Sequence, residues 1–324
     1  YATDAETLEK LSEEDKTGIV KDILEYRQLS KLVSTYTDSL PEQINKETGK
    51  IHCDFNQTIT STGRLSSSNP NLQNIPIRSD YGRKIRKAFI SSFDNGLLLS
   101  ADYSQIELRV LAHMTEDPVL IKAFKEGEDI HKRTAMEIYG VSDKEITSEM
   151  RSYGKTLNFA LIYQQGAFAT ARQLNISQKE AQEFIDKYFA SFKEVKPFFE
   201  NLLHQAKEKG YVETIYGRRR YFKNLNVRNK GLVREDERAA CNSPLQGTAA
   251  DIMKLAMIRV HKELIEKDFK SKLILQVHDE IVLDVHPEEK EKVEKLVLSG
   301  MELDQPLKIP LVVDFAWGKN WYEC

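Results

Sequence analysis

Two runs of apolar and β-branched residues, Leu273 to Val277 and Ile281 to Val285, are separated only by His278, Asp279 and Glu280. Strands this close in sequence pair antiparallel through a tight turn, because a parallel partner needs a crossover of a dozen residues or more. The hairpin needs further strands to be stable on its own. Gly96 to Ala101, an apolar run after a turn, and Leu311 to Phe315 supply them. Between these strands lies a long block with helical periodicity. The expected class is therefore α+β, a sheet carrying a helical subdomain.

A chain of 324 residues exceeds what one hydrophobic core usually supports, so two or three subdomains are expected. No apolar run approaches the roughly 20 residues of a membrane-spanning helix, and no secretory leader is expected. The chain opens at Tyr1 without an initiator methionine and reads as part of something longer. Cys53, Cys241 and Cys324 are scattered, with no C-x-x-C pair. This argues against a zinc site or disulfide framework and fits a reducing compartment. The net charge of -3 does not exclude a polyanionic partner, since binding needs only a local basic face. Such clusters occur at Arg78, Arg83, Lys84, Arg86 and Lys87, and at Arg218, Arg219, Arg220 and Lys223, while acids gather around Glu6 to Asp15 and Glu288 to Glu294.

Along the chain, residues 3 to 38 read as two helices, closed by Pro41 and Thr48-Gly49. Ile51 to Thr60 reads as a hairpin, followed by a polar loop from Ser61 to Pro76. Ser104 is placed to start a helix, with Glu107 at capping-box spacing. Residues 117 to 209 are helical, and Gly210 to Tyr221 is a hairpin turning at Tyr216-Gly217-Arg218. Leu232 to Lys267 is a long helix that Pro244 and Gly247 should kink or split. Glu288 to Leu298 is the last helix.

Asp102 and Asp279 each follow an apolar run. Either alone reads as a turn residue or helix cap. If both strands share a sheet, both carboxylates can emerge at one edge and bind hard divalent ions such as magnesium. Two such ions about 3.5 to 4 Å apart can activate one oxygen and stabilise another. Glu280 is either an auxiliary acid or a solvent-facing hairpin residue, and His278 fits a structural turn. Met150 to Tyr163 reads as a helix in which Arg151, Lys155, Phe159 and Tyr163 recur every four residues on one broad face. Two cations followed by two rings suit a nucleoside triphosphate. The same spacing also suits snorkelling cations with a core-facing aromatic pair.

Taken together, these segments resemble the family A DNA polymerases, of the bacterial polymerase I type. Asp102-Tyr103-Ser104-Gln105-Ile106-Glu107-Leu108-Arg109 is similar to that family's first motif, Arg151-x-x-x-Lys155-x-x-x-Phe159-x-x-x-Tyr163 with Asn158 to its second, and Val277-His278-Asp279-Glu280 to its third. Thr62-Gly63-Arg64-Leu65-Ser66-Ser67, Asn69 to Pro76 and Gln246 to Asp251 add supporting matches, in order and almost end to end. The resemblance implies a right-hand fold with an antiparallel palm sheet, helical fingers and a partial helical thumb. Its divisions fall at 1–44 (partial thumb), 45–112 (first palm part), 113–230 (fingers) and 231–324 (second palm part). It implies template-directed DNA synthesis with two magnesium ions, for which manganese can substitute, held by Asp102, Asp279 and the Tyr103 carbonyl. Lys155 joins the two aspartates as a catalytic residue. Gln105, Glu107, His131, Arg151, Lys155, Phe159 and Tyr163 would meet the deoxynucleoside triphosphate, with Glu107 crowding a ribose 2′-hydroxyl. Arg64, Asn74, Arg238, Asn242, Gln246 and His278 would hold primer–template DNA. A single-subunit RNA polymerase or a non-catalytic DNA-binding module are the alternatives. Phe159, where some members carry Tyr, implies discrimination against dideoxynucleotides. Gln164 departs from the family, whose second motif continues Tyr-Gly. A monomer is expected, in bacterial or phage-infected cytoplasm at the nucleoid, or in an organellar matrix.

Overall fold

The computed structural model describes residues 3–77, 79–304 and 306–324; Arg78, the first cation of the basic cluster, lies outside them. The N-terminal helices are α1 (Ala5–Glu14), α2 (Ile19–Leu32) and the short α3 (Ser39–Glu42). Asp4 caps α1 by accepting from the Thr7 amide. Strand β1 (Asp54–Asn56) pairs with β2 (Ser66–Ser68), so the return strand of this hairpin lies inside the segment expected to be loop. Three serines carry no β-branched signal. The pair is held by backbone and by Asn56 Nδ2 donating to Ser68 Oγ at 3.0 Å, which periodicity does not report.

After α4 (Asp80–Ile85) comes the central sheet. It comprises β3 (Leu97–Tyr103) and three later strands, reached after α5 (Ile106–Thr115), α6 (Pro118–Lys125), α7 (Ile130–Tyr139), α8 (Ser148–Ile162), α9 (Ala167–Leu174), α10 (Gln178–Ser191) and α11 (Val195–Lys209). A small hairpin, β4 (Tyr211–Glu213) with β5 (Arg219–Tyr221), precedes α12 (Lys230–Glu266). The hairpin β6 (Lys272–Val277) and β7 (Glu280–Val285), then α13 (Lys290–Glu302) and β8 (Val313–Gly318), complete the chain. The sheet order is β6-β7-β3-β8, antiparallel throughout. The α+β class follows directly.

Alternation along β3 sorts its side chains to two cores. Leu99, Ala101 and Tyr103, with Ile281 and Leu283, join the large core shared with α5, α12 and α13. Leu98 and Val282 join a second core with Leu32, Tyr36, Leu72 and Trp321. Burial on both faces explains why these strands read as continuous apolar runs.

Two local expectations are corrected. Pro244 does not split α12, which runs unbroken for 37 residues. Ala240, Cys241, Leu245, Ala249, Ile252 and Met253 around it are all buried. A core leucine or methionine contributes roughly 1.5–3 kcal/mol, so several together outweigh the roughly 3 kcal/mol cost of an internal proline. Ser104 does not cap α5. The residue preceding the helix is Gln105, in the left-handed conformation and without a side-chain cap bond, and Glu107 is bonded elsewhere.

Candidate active site

Backbone register assembles the acidic end of the sheet. Asp102 lies opposite Glu280 on β7 and opposite Asp314 on β8. The Tyr103 amide donates to the Asp279 carbonyl at 3.0 Å, which locks the hairpin tip beside the end of β3. Directly opposed residues share a sheet face, so three acids from three strands meet on one face with Asp279 at the adjoining turn. His278 adopts a left-handed conformation at φ 55 and is exposed at that tip.

The Asp102 carboxylate reaches solvent, yet surrounding protein strips away much of its hydration. That loss, followed by the charges of Asp279, Glu280 and Asp314, pushes its pKa up to about 7. Burial also raises Asp279, against the pull of Arg64 and His278. Among the described residues no three His, Cys, Asp or Glu side chains form a metal cage. Two carboxylates crowded by like charge still fit divalent cations, which relieve that repulsion while phosphates and water fill the remaining positions. Glu280 is less available than expected. Its Oε1 accepts from Ser100 Oγ at 2.7 Å and from Trp321 Nε1 at 3.2 Å, so this oxygen is tied to the sheet and the second core.

Helix α8 is preceded by Thr147, whose hydroxyl accepts from the Met150 amide, and followed by Tyr163 as its C-terminal cap. Its closeness to α7 depends on Gly154, where a Cβ would stand 2.2 Å from the His131 carbonyl oxygen. Neither Gly154 nor Asn158's role is apparent from the four-residue spacing. Fully buried Asn158 donates to His131 Nδ1 at 3.1 Å and exchanges hydrogen bonds with Thr134, which places the imidazole proton on Nε2. Burial holds His131 well below its usual range, at about 4, with Arg151 and Lys155 adding to that effect and Asp129 opposing it. It therefore stands neutral near pH 7, packed 5.8 Å from the Phe159 ring.

Arg151 Nε pairs with Asp129 at 2.5 Å, a partner that the motif spacing does not reveal. Lys155 is exposed and makes no ion pair with a described residue. The two ends of the site are joined by one chain of contacts. The Tyr163 hydroxyl donates to Glu107 Oε2 at 3.1 Å, Arg64 Nη2 meets Glu107 Oε1 at 2.8 Å, and the same nitrogen lies 3.5 Å from Asp279 Oδ1. Burial raises Glu107, and Arg64 opposes the rise.

The remaining expected residues spread outward. Arg238, Asn242 and Gln246 follow one another every four residues along one side of α12, Arg238 exposed and the other two half-buried. Asn74 lies apart, beside a groove of about 1080 Å³ between α2 and residues 69–76, its carbonyl accepting from Tyr36 Oη at 2.6 Å. Gln105 is half-buried at the turn between β3 and α5, with φ 53.

The model of DNA polymerase family A matches residues 1–323. DNA polymerase I of Geobacillus stearothermophilus is 50% identical over 324 residues, covering 100% of this chain and 37% of that protein. DNA polymerase I of Bacillus subtilis (strain 168) is 49% identical over 324 residues, again covering 100% of this chain and 37% of the relative. The chain thus spans well under half the length of these curated relatives. Among solved structures, the POL domain of Pol1 from M. smegmatis, in complex with DNA primer-template and dNTP, superimposes with a TM-score of 0.94 at 41% identity. That match covers 100% of this chain and 57% of the other, so the right-hand polymerase fold implied by the motifs is the fold of this chain. With a family match from residue 1 to 323 and half its residues shared with such relatives, the chain belongs to DNA polymerase family A.

Proposed function

We propose that this chain performs template-directed DNA synthesis, adding deoxynucleotides to a primer 3′ end. The observation that carries the reading is the convergence of Asp102 and Asp279 at one end of the sheet, tied through Arg64 and Glu107 to the end of α8. The primer 3′-hydroxyl oxygen gives up its proton to solvent and bonds to the α-phosphorus of the triphosphate. The bond to the bridging oxygen breaks, and pyrophosphate departs with its electron pair.

Asp102 and Asp279, with the Tyr103 carbonyl, would hold two magnesium ions, or manganese in their place. When bound, these supply the positive charge that favours the attacking and leaving oxygens. Lys155, without an ion-pair partner among the described residues, and Arg151 grip the triphosphate, and neutral His131 offers its Nε2 proton to a phosphate oxygen. Phe159 and Tyr163 pack on the nucleotide with Gln105 beside it, and buried Glu107 closes the space a ribose 2′-hydroxyl would occupy. Phe159 favours rejection of dideoxynucleotides. Arg64, Asn74, Arg238, Asn242, Gln246 and His278 follow the primer–template. Glu280 supports the hairpin and acts as the auxiliary acid.

The partial thumb (residues 1–44), the palm (45–112 and 231–324) and the fingers (113–230) frame this site. No helix among the described residues is long and apolar enough to cross a membrane. We place the protein in bacterial cytoplasm at the nucleoid, acting as a monomer.

Primer extension on a defined template tests the reading, with deoxy-, dideoxy- and ribonucleotides offered separately. Magnesium-dependent growth with deoxynucleotides is expected. Equal use of ribonucleotides would transfer the chain to RNA synthesis, and binding of DNA without growth would leave it a binding module.

A further inference from the structure

The end of α8 is built around a residue that pattern alone would not place there. Gln164 has φ 53, a left-handed conformation that costs a residue with a Cβ but not glycine. The turn is nonetheless well formed. The Gln164 amide donates to the Leu161 carbonyl at 3.1 Å, and the Gln165 amide to the Ala160 carbonyl at 2.8 Å. This is the paired-bond helix end in which glycine usually occupies the left-handed position. Here a third bond is added, because Gln164 Nε2 also donates to the Leu161 carbonyl at 3.1 Å.

Beyond that clasp the joint is poorly tied. Gln165 Oε1 and Thr170 Oγ1 are buried and lack a hydrogen-bond partner among the described residues. Directly before it stands Tyr163, whose hydroxyl reaches Glu107. The side-chain clasp is thus an added contact on the same turn of α8 that carries Tyr163 to Glu107.

We infer that Gln164 is a positioning residue for sugar selection. Its amide clasps the last turn of α8, fixes Tyr163 against Glu107, and so keeps the space beside Glu107 closed to a 2′-hydroxyl. The inference rests on the reading of Glu107 as the sugar-selecting group.

The test compares Gln164→Ala and Gln164→Gly with the parent chain in single-nucleotide extension, measuring kcat and KM for matched deoxy- and ribonucleotides. Both variants lose the clasp, but only the glycine is relieved of the left-handed cost. One hydrogen bond's worth of positioning corresponds to about a fivefold change. Both should therefore lower the KM for ribonucleotides about fivefold with little change in kcat, while thermal stability falls for alanine and not for glycine. A merely structural role moves stability and leaves the ribonucleotide KM where it was, which overturns the inference. So does a change in KM with glycine alone, because the backbone and not the clasp would then be responsible. Glu107→Ala separates the inference from its premise: if that variant also leaves the ribonucleotide KM unchanged, the reading of Glu107 has failed.

Discussion

The sheet end and the face of α8 place their functional groups by opposite means. On the sheet, hydrogen-bond register decides: β3 sets Asp102 between Glu280 and Asp314 with little local compensation for the charge. On α8, helical spacing decides which groups share a face, and most of them then find partners of their own. Arg151 pairs with Asp129, Tyr163 with Glu107, and Phe159 packs on His131. A register that gathers acids works against stability, so its retention points to ligands that neutralise them. A helix face with satisfied side chains needs no such ligand to be stable. On the proposed reading, that difference assigns the metal-dependent chemistry to the sheet and nucleotide selection to the helix end.

The largest test of that division is removal of either aspartate. Asp102→Ala or Asp279→Ala should lower primer extension by at least about 10⁴-fold, since each would remove half of the metal-holding pair. DNA binding in a gel-shift assay should survive. Extension within tenfold of the parent would end the two-carboxylate assignment.

Lys155→Ala should come next, with a loss of roughly 10² to 10³-fold and a raised KM for the triphosphate, as for removal of a charge-stabilising donor. Lys155→Arg should recover part of it. Equal loss with both aspartate and lysine variants in DNA binding alone would erase the distinction between the two regions.

His131 sharpens the contrast through pH. Its folded value of about 4 lies below its ordinary 6.5, so the unfolded chain takes up the proton first on acidification. Stability from this source is complete above pH 6.5 and declines as pH falls toward 4, by at most about 3 kcal/mol. Denaturant midpoints of the parent should therefore fall more steeply over that window than those of His131→Gln. Parallel profiles would show that His131 is not a buried neutral imidazole.

The smallest effect is expected at the bridge between the regions. Arg64→Met leaves buried Glu107 without its cation, at a cost of about 1–3 kcal/mol in thermal unfolding. Adding Glu107→Gln to that variant should restore part of the loss, because the neutral amide no longer needs a cation. No restoration would mean that Arg64 acts on Asp279 alone.

Much of this was legible without coordinates. Buried strands beside Asp102 and Asp279, and the four-residue recurrence from Arg151 to Tyr163, are short-range patterns set by backbone geometry, and the ordered motifs carried the family. Contacts that cross long stretches of chain were not legible. Ser100 and Trp321 occupy Glu280, Asp129 takes Arg151, and Arg64 joins Glu107 to Asp279 across loops of unspecified path. The serine strand β2 escaped because main-chain pairing leaves no composition signal. The split at Pro244 and the cap at Ser104 failed for a related reason: surrounding burial overrode the one, and a left-handed Gln105 displaced the other.

The sequence by itself determined most of the element types, the two aspartates at the ends of buried strands and the resemblance to family A. Only the tertiary structure decided which acids oppose one another, which cations remain free, and how Gln164 closes α8. Local propensity and spacing act over one or two helical turns, whereas charge pairing, burial and register depend on which distant segments meet.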